Sequence, residues 1–205
     1  MDTYPPPPWH LTGTSVQVIR LVDVSRARRL VPQELRIFPV LPGKTLAVLY
    51  CARYSAQSTL AYHELLMAPA VVGTGGRMGF WISHIYVDDA ASARGGRHIW
   101  GLPKQLATFH WNEADGEVRV DAESSLLCRM AWSSGRTFAR IPAILPVIGG
   151  GSKGFLYFSG TGSCRAGLRR AQIEVGDALP DLGFARARHA VLGNDLRLRV
   201  RAPVR

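Results

Sequence analysis

Lysine is scarce in this 205-residue chain: among 25 basic residues only Lys44, Lys104 and Lys153 are not arginine. Cysteine is scarce too. Cys51, Cys128 and Cys164 are odd in number, far apart and without a Cys-x-x-Cys pair, which argues against a disulfide framework and fits buried free thiols in a reducing cytoplasm. Long apolar runs are missing. The stretch 46–72 is broken by Arg53, His63 and Glu64, and 141–148 is short and holds Pro142 and Pro146, so neither is expected to span a bilayer. The first residues lead into prolines 5–8 with no basic leader and no apolar core segment, so no signal peptide is expected and a cytoplasmic location is. Acidic residues are few, 15 against 25 basic, for a formal charge of +10. That balance would suit nucleic acid, but the arginines are scattered. The strongest clusters are 165–170 and the tail 197–201, where arginine alternates with apolar residues as on the wet face of a strand. Nucleic acid is therefore not an expected partner; steering of a small anionic substrate is a better use of the charge.

What the chain does have is apolar content, 47%, enough for one core, and residues 1–205 read as a single domain. Span 15–23 (SVQVIRLVD) predicts a strand with Val16, Val18 and Arg20 on one face. Ser25 is placed to cap a short helix to Leu30 that Pro32 ends. Spans 35–40, 45–54, 60–72 and 80–87 read as strands, the last aromatic and β-branched. Asp88 and Asp89 then cap a short helix over 90–94 or a little further. Spans 108–111 and 117–120 flank a hairpin turn at 113–116. Further strands are expected at 125–132, 155–158, 172–175 and 196–200, with 193–195 as a turn. Many short strands and few helices make a mainly β (α+β) protein, an antiparallel sheet closed or sandwiched with small helices at its edge.

Lys104 sits in Arg97-His98-Ile99-Trp100-Gly101-Leu102-Pro103-Lys104-Gln105-Leu106-Ala107. Arginine serves as the cation almost everywhere else, so a lysine among apolar neighbours points to the one thing arginine cannot do: lose its proton and act as an amine nucleophile. That use requires a dry, buried site. The plainer alternative is a lysine that snorkels from a sheet edge.

The run Tyr86-Val87-Asp88, then Gly96-Arg97-His98-Ile99-Trp100-Gly101-Leu102-Pro103-Lys104, resembles the acetoacetate decarboxylase superfamily, whose Gly-Arg-Glu-φ-x-x-φ-Pro-Lys segment ends in a Schiff-base lysine. Val18-Ile19-Arg20 with the later Val31-Pro32-Gln33-Glu34-Leu35 is similar to the family's opening, and Tyr62-His63-Glu64 to its Tyr-x-Glu segment. The resemblance covers about residues 7 to 130. It implies a cone-like antiparallel β-barrel with a site in its interior, with Lys104 forming the imine and Arg20 and Glu64 in its polar neighbourhood. Trp100, Leu102, Tyr62 and His98 are the expected substrate contacts. Acetoacetate decarboxylase is itself the standard example of a lysine activated by an apolar pocket or a neighbouring cation.

Two departures stand out: Gln105 replaces the family's second lysine, and His98 stands where glutamate is usual. Arg20 is suited to pairing with a substrate carboxylate or with Glu64. Glu64, among apolar neighbours, is a candidate acid/base or one half of a structural ion pair. His63 points to the opposite face from Tyr62 and Glu64. The expected function is a cofactor-free, Schiff-base-forming lyase on a small or medium keto acid, with decarboxylation of a β-keto acid as the default. The alternatives are aldol condensation, dehydration or cyclisation in a specialised pathway, and a non-catalytic carboxylate-binding barrel. A homo-oligomer is expected.

Other signals carry less. Glycine-rich 73–79 misses the dinucleotide fingerprint and reads as a mobile loop. Segment 149–154 lacks phosphate-loop spacing and reads as a flexible turn. The histidines His10, His63, His84, His98, His110 and His189 show no metal-ligand spacing, so no metal is expected. Trp81, Trp100, Trp111 and Trp132 are core candidates.

Overall fold

Hydrogen-bond pairing, more than local pattern, organises this chain. The computed structural model describes residues 4–151, 154–180 and 182–204. Its strands are β1 (Trp9–Asp23), β2 (Arg36–Ile37), β3 (Lys44–Tyr54), β4 (Tyr62–Ala68), β5 (Ala70–Thr74), β6 (Arg77–Trp81), β7 (His84–Val87), β8 (Lys104–Leu106), β9 (Thr108–Asn112), β10 (Glu117–Ala122), β11 (Ser125–Trp132), β12 (Arg140–Gly151), β13 (Gly154–Val175) and β14 (His189–Val200); the helices are α1 (Val24–Arg28) and α2 (Ala90–Trp100). The main path runs β2-β5-β6-β12-β13-β14-β1-β3-β4-β7-β8, and β11-β10-β9 branch from β13. Pairing is antiparallel except for β6 with β12 and β7 with β8. The mainly β class holds. The barrel is a loose description, because the path starts at β2 and finishes at β8 and is not closed by a ladder.

Several elements differ from expectation, each for a local reason. Pro69 has no N–H to give a ladder, and it separates β4 from β5. The aromatic run 80–87 is likewise two strands, broken at Ile82 and Ser83. Span 35–40 keeps only the two residues of β2. The cap position of α1 is Asp23, not Ser25, and its carboxylate binds Lys44 Nζ at 2.7 Å instead of capping. Spans 155–158 and 172–175 belong to one 22-residue strand, β13. Residues 193–195 are not a turn: they lie inside β14, where the registers with β1 and β13 shift and Asp195 takes a positive φ of 48°. Segment 73–79 is the β5–β6 hairpin, turning at Gly75 and Gly76.

β1, β3 and β4 carry buried residues on both faces, although Ile19 and Leu21 of β1 are half exposed. One face carries Val16, Val18, Leu49, Cys51, Leu65 and Met67 against β10, β11 and the 179–190 segment. The other carries Leu11, Tyr50, Ala52, Tyr54 and Tyr62 and is enclosed by α2, β7, β12, β13 and β14. All three cysteines are buried free thiols; burial pushes Cys128 up to about 12, so it stays protonated and inert. The tail arginines lie as expected, with buried Leu196 and Leu198 alternating with exposed Arg197 and Arg199. Among the described residues no helix is long and apolar enough to cross a membrane.

Candidate active site

The second of these faces holds the lysine. Helix α2 begins with the Asp89 carboxylate accepting from Ser92 N–H at 2.6 Å. Asp88 does not share this role; it accepts from the His63 backbone at 2.7 Å and contacts the His63 ring at 2.6 Å. The helix does not stop at Gly95-Gly96 but runs to Trp100 and ends at Gly101, in the left-handed conformation (φ 63°) that glycine adopts without strain. Leu102 N–H then folds back to Gly96 O at 3.1 Å, and Arg97 Nε holds the Lys104 carbonyl at 2.6 Å. The chain therefore doubles back along α2, and Lys104 lies against Gly96.

Both glycines are required by that approach. A Cβ on Gly96 would stand 2.5 Å from Lys104 Cδ, and one on Gly95 would stand 2.8 Å from the Trp9 ring. The run 149–151 serves the same packing. Within the expected turn at 149–154 the chain does reverse, Gly151 pairing with Gly154, but Gly149 to Gly151 are the end of β12, laid on the end of α2 with Gly150 N–H on Gly101 O at 3.0 Å, and a Cβ on Gly149 would meet Trp100 O at 2.0 Å. Ser152 and Lys153 lie outside the described residues.

Lys104 is 3% exposed and Glu64 7%. Lys104 Nζ donates to Glu64 Oε2 at 2.8 Å and Ser92 Oγ at 3.0 Å, with Tyr62 OH at 3.5 Å. It also stands 4.8 Å from the Tyr62 ring centroid and 5.8 Å from that of Trp9. Glu64 further accepts from Tyr62 OH at 3.2 Å and Tyr54 OH at 3.3 Å, and Tyr54 contacts Tyr50 OH at 3.3 Å. The register explains the gathering: Tyr54 pairs with Tyr62, Ala52 with Glu64, and Ile85 of β7 with Lys104. Lys104 does not snorkel. It is buried, ion-paired and hydrogen-bonded.

Burial, reinforced by the Glu64 charge, pushes the Tyr54 and Tyr62 phenols well above their ordinary range, and burial pushes Tyr50 up as well. Above about pH 10 an unfolded chain releases phenol protons that this fold keeps, so stability full at neutral pH is lost as pH rises through that value. We expect the melting temperature to fall steeply there in thermal melts stepped across the alkaline range, and less steeply for Tyr54→Phe.

Of the residues expected around the lysine, Glu64 and Tyr62 are there. Arg20 is not. It pairs with Ala47, on the face of Val18 and Leu49, and lies five residues along β1 from Ser15, whose row leads through Ala52 to Glu64. That is roughly 16 Å away on the opposite face, and Arg20 Nε has no hydrogen-bond partner. His98 is not there either. Two positions past Gly96 on a helix lie about 200° round it, so His98 is exposed and bonds Tyr4 OH at 3.1 Å. Trp100 is buried as a core anchor, edge-on to Trp9 at 4.7 Å and donating to Arg201 O at 2.8 Å. Leu102 is buried in the same cluster, where it shapes the turn into Lys104. His63 faces away from Glu64, as expected, and stacks on Phe109 at 5.6 Å. Gln105 is exposed on the side of β8 away from the amine, so a lysine there would face outward in this geometry. Ser92, Trp9, Tyr50 and Tyr54 went unnoticed in the sequence. The signal for the tyrosines was the two-residue spacing Tyr50-Ala52-Tyr54, readable only once β3 is paired with β4. Among the described residues no group of three or more His, Cys, Asp or Glu side chains is placed to hold a metal ion.

Comparisons agree with this architecture. Residues 1–148 match the family model described as acetoacetate decarboxylase (ADC). Protein NEOXANTHIN-DEFICIENT 1 of Oryza sativa subsp. japonica is 34% identical over 109 residues, 53% of this chain and 36% of that protein. Its namesake in Arabidopsis thaliana is 29% identical over 109 residues, 53% of this chain and 38% of that protein. The chain thus matches little more than a third of the length of these curated relatives. Two solved structures share the fold at low identity. One is the acetoacetate decarboxylase of Legionella pneumophila (TM-score 0.66, 15% identity, 100% of this chain and 90% of that one). The other is the enduracididine biosynthesis enzyme MppR complexed with pyruvate (TM-score 0.64, 18% identity, 98% and 90%). The family match over most of the chain, together with a fold shared nearly end to end, shows that this chain belongs to the acetoacetate decarboxylase family.

Proposed function

We propose that the chain is a Schiff-base-forming lyase in which Lys104 condenses with the carbonyl carbon of a small substrate. The observation that carries this reading is the Lys104 amine, buried and 2.8 Å from the Glu64 carboxylate. An amine attacks only without its proton, and Glu64 is the acceptor within reach. Tyr62 and Ser92 supply hydroxyls beside the same nitrogen. The iminium that forms is an electron sink. It can draw the electrons of a departing carboxylate out of a β-keto acid, or yield an enamine that adds to an aldehyde and then loses water. The second, aldol-type course is favoured by the hydroxyls and carboxylate gathered at Nζ, which suit repeated proton transfers. The homo-oligomer belongs to the same proposal, because β2 and β8 end the sheet path as edges.

The test is borohydride reduction in the presence of a panel of ketones, aldehydes and keto acids, followed by intact-mass spectrometry and peptide mapping. The expected result is one adduct per chain, on Lys104. Adducts confined to Lys44 or Lys153, or none with any compound, would overturn the reading.

A further inference from the structure

The charges around Lys104 restrict what it can accept. The amine is paired with one carboxylate, Glu64. Among the described residues no second cation is within hydrogen-bond reach of either group: Arg20 is on the other face of the sheet, His98 is exposed, and Arg97 reaches only the Lys104 carbonyl from outside. The remaining surroundings are Ser92 and the aromatic side chains of Trp9, Tyr54 and Tyr62.

Resting on the imine reading above, we infer that the site takes a neutral ketone or aldehyde with an apolar body and rejects compounds carrying a carboxylate beside the reacting carbonyl or one carbon from it, which leaves the aldol-type course of the two named above. The proton and charge balance leads to this. Lys104 passes a proton to Glu64, and the nitrogen lone pair adds to the carbonyl carbon while the C=O π pair moves to oxygen. A proton shifts from nitrogen to that oxygen, giving the carbinolamine. The C–O bond then breaks, the nitrogen pair closes the C=N bond, and the hydroxyl leaves as water with the proton returned by Glu64. The ammonium–carboxylate pair has become an iminium–carboxylate pair, still neutral as a unit, with one water released. A keto acid would leave two carboxylates against one iminium in an enclosed aromatic setting, a surplus buried negative charge with nothing to offset it. A neutral carbonyl leaves none.

The experiment compares each keto acid with its own methyl ester, pyruvate against methyl pyruvate and acetoacetate against methyl acetoacetate, in borohydride trapping at Lys104. Each ratio is normalised to trapping by N-acetyl-lysine in the same buffer, which removes the intrinsic difference in electrophilicity. We expect ester over acid to exceed the N-acetyl-lysine ratio by about tenfold or more. Adducts at Lys104 with an ester-over-acid ratio no greater than that of N-acetyl-lysine would overturn the inference and leave the imine reading standing. No adduct at Lys104 with either partner would overturn both.

Discussion

Lys104→Met is expected to abolish both borohydride-trapped adducts and turnover, and to lower the melting temperature by roughly 10 °C. The chemical loss is complete because a thioether has no nitrogen to form an imine. The loss of stability comes from the partner left behind. Lys104 and Glu64 are 3% and 7% exposed, and removing one side of a buried ion pair costs about 3–5 kcal/mol through the uncompensated charge. The double variant Lys104→Met/Glu64→Gln should recover most of that stability and none of the activity, a separation that thermal melts and trapping read independently. Lys104→Arg decides a different question. Arginine keeps the positive charge but does not deprotonate, so a barrel that merely anchored carboxylates would retain ligand binding, whereas imine chemistry would vanish. Turnover surviving in either variant would end the proposal that Lys104 is the nucleophile.

Gly96→Ala should silence the site with little loss of fold. In an ordinary helix the change adds about 1 kcal/mol of stability. Here the new Cβ would stand 2.5 Å from Lys104 Cδ and 2.8 Å from Cε, so the lysine stem must move aside. A displacement of about 1 Å at a reacting group costs on the order of 100-fold in rate. The expected outcome is a melting temperature within a few degrees of the parent, set against a trapping rate lower by about two orders of magnitude. A variant that traps at the parental rate would show that the contact between α2 and the lysine does not position the amine.

Much of this was legible in the sequence because some signals are local. A single lysine among apolar residues marked the nucleophile candidate, and the alternation of Tyr62, His63 and Glu64 sorted their faces correctly. The helix expected over 90–94 or a little further runs to Trp100, because its stop signal is Gly101 followed by Pro103. Arg20 was rightly grouped with Val16 and Val18. Each face of β1 carries buried residues, however, and alternation along one strand does not say which side contains the lysine. Tyr54 reaches Glu64 10 residues away, with Tyr50 joined to it through Tyr54, and Ser92 reaches Lys104 12 residues away, contacts set by strand pairing and by the return of the chain along α2, which no single segment encodes.

The strand that carries Lys104 is the last on the sheet path, three residues long, with a ladder to β7 and none on its outer side. Segments of that kind come loose at far lower cost than a molecule melts. Three cross-strand pairs, the Arg97 clasp on the Lys104 carbonyl and the bonds of the Lys104 amine to Glu64 and Ser92 are what must yield for the margin to lift. On the imine proposal, fraying at this rim would admit a carbonyl compound and release the water of condensation, and because the same strand carries Lys104 it would loosen the amine along with the margin.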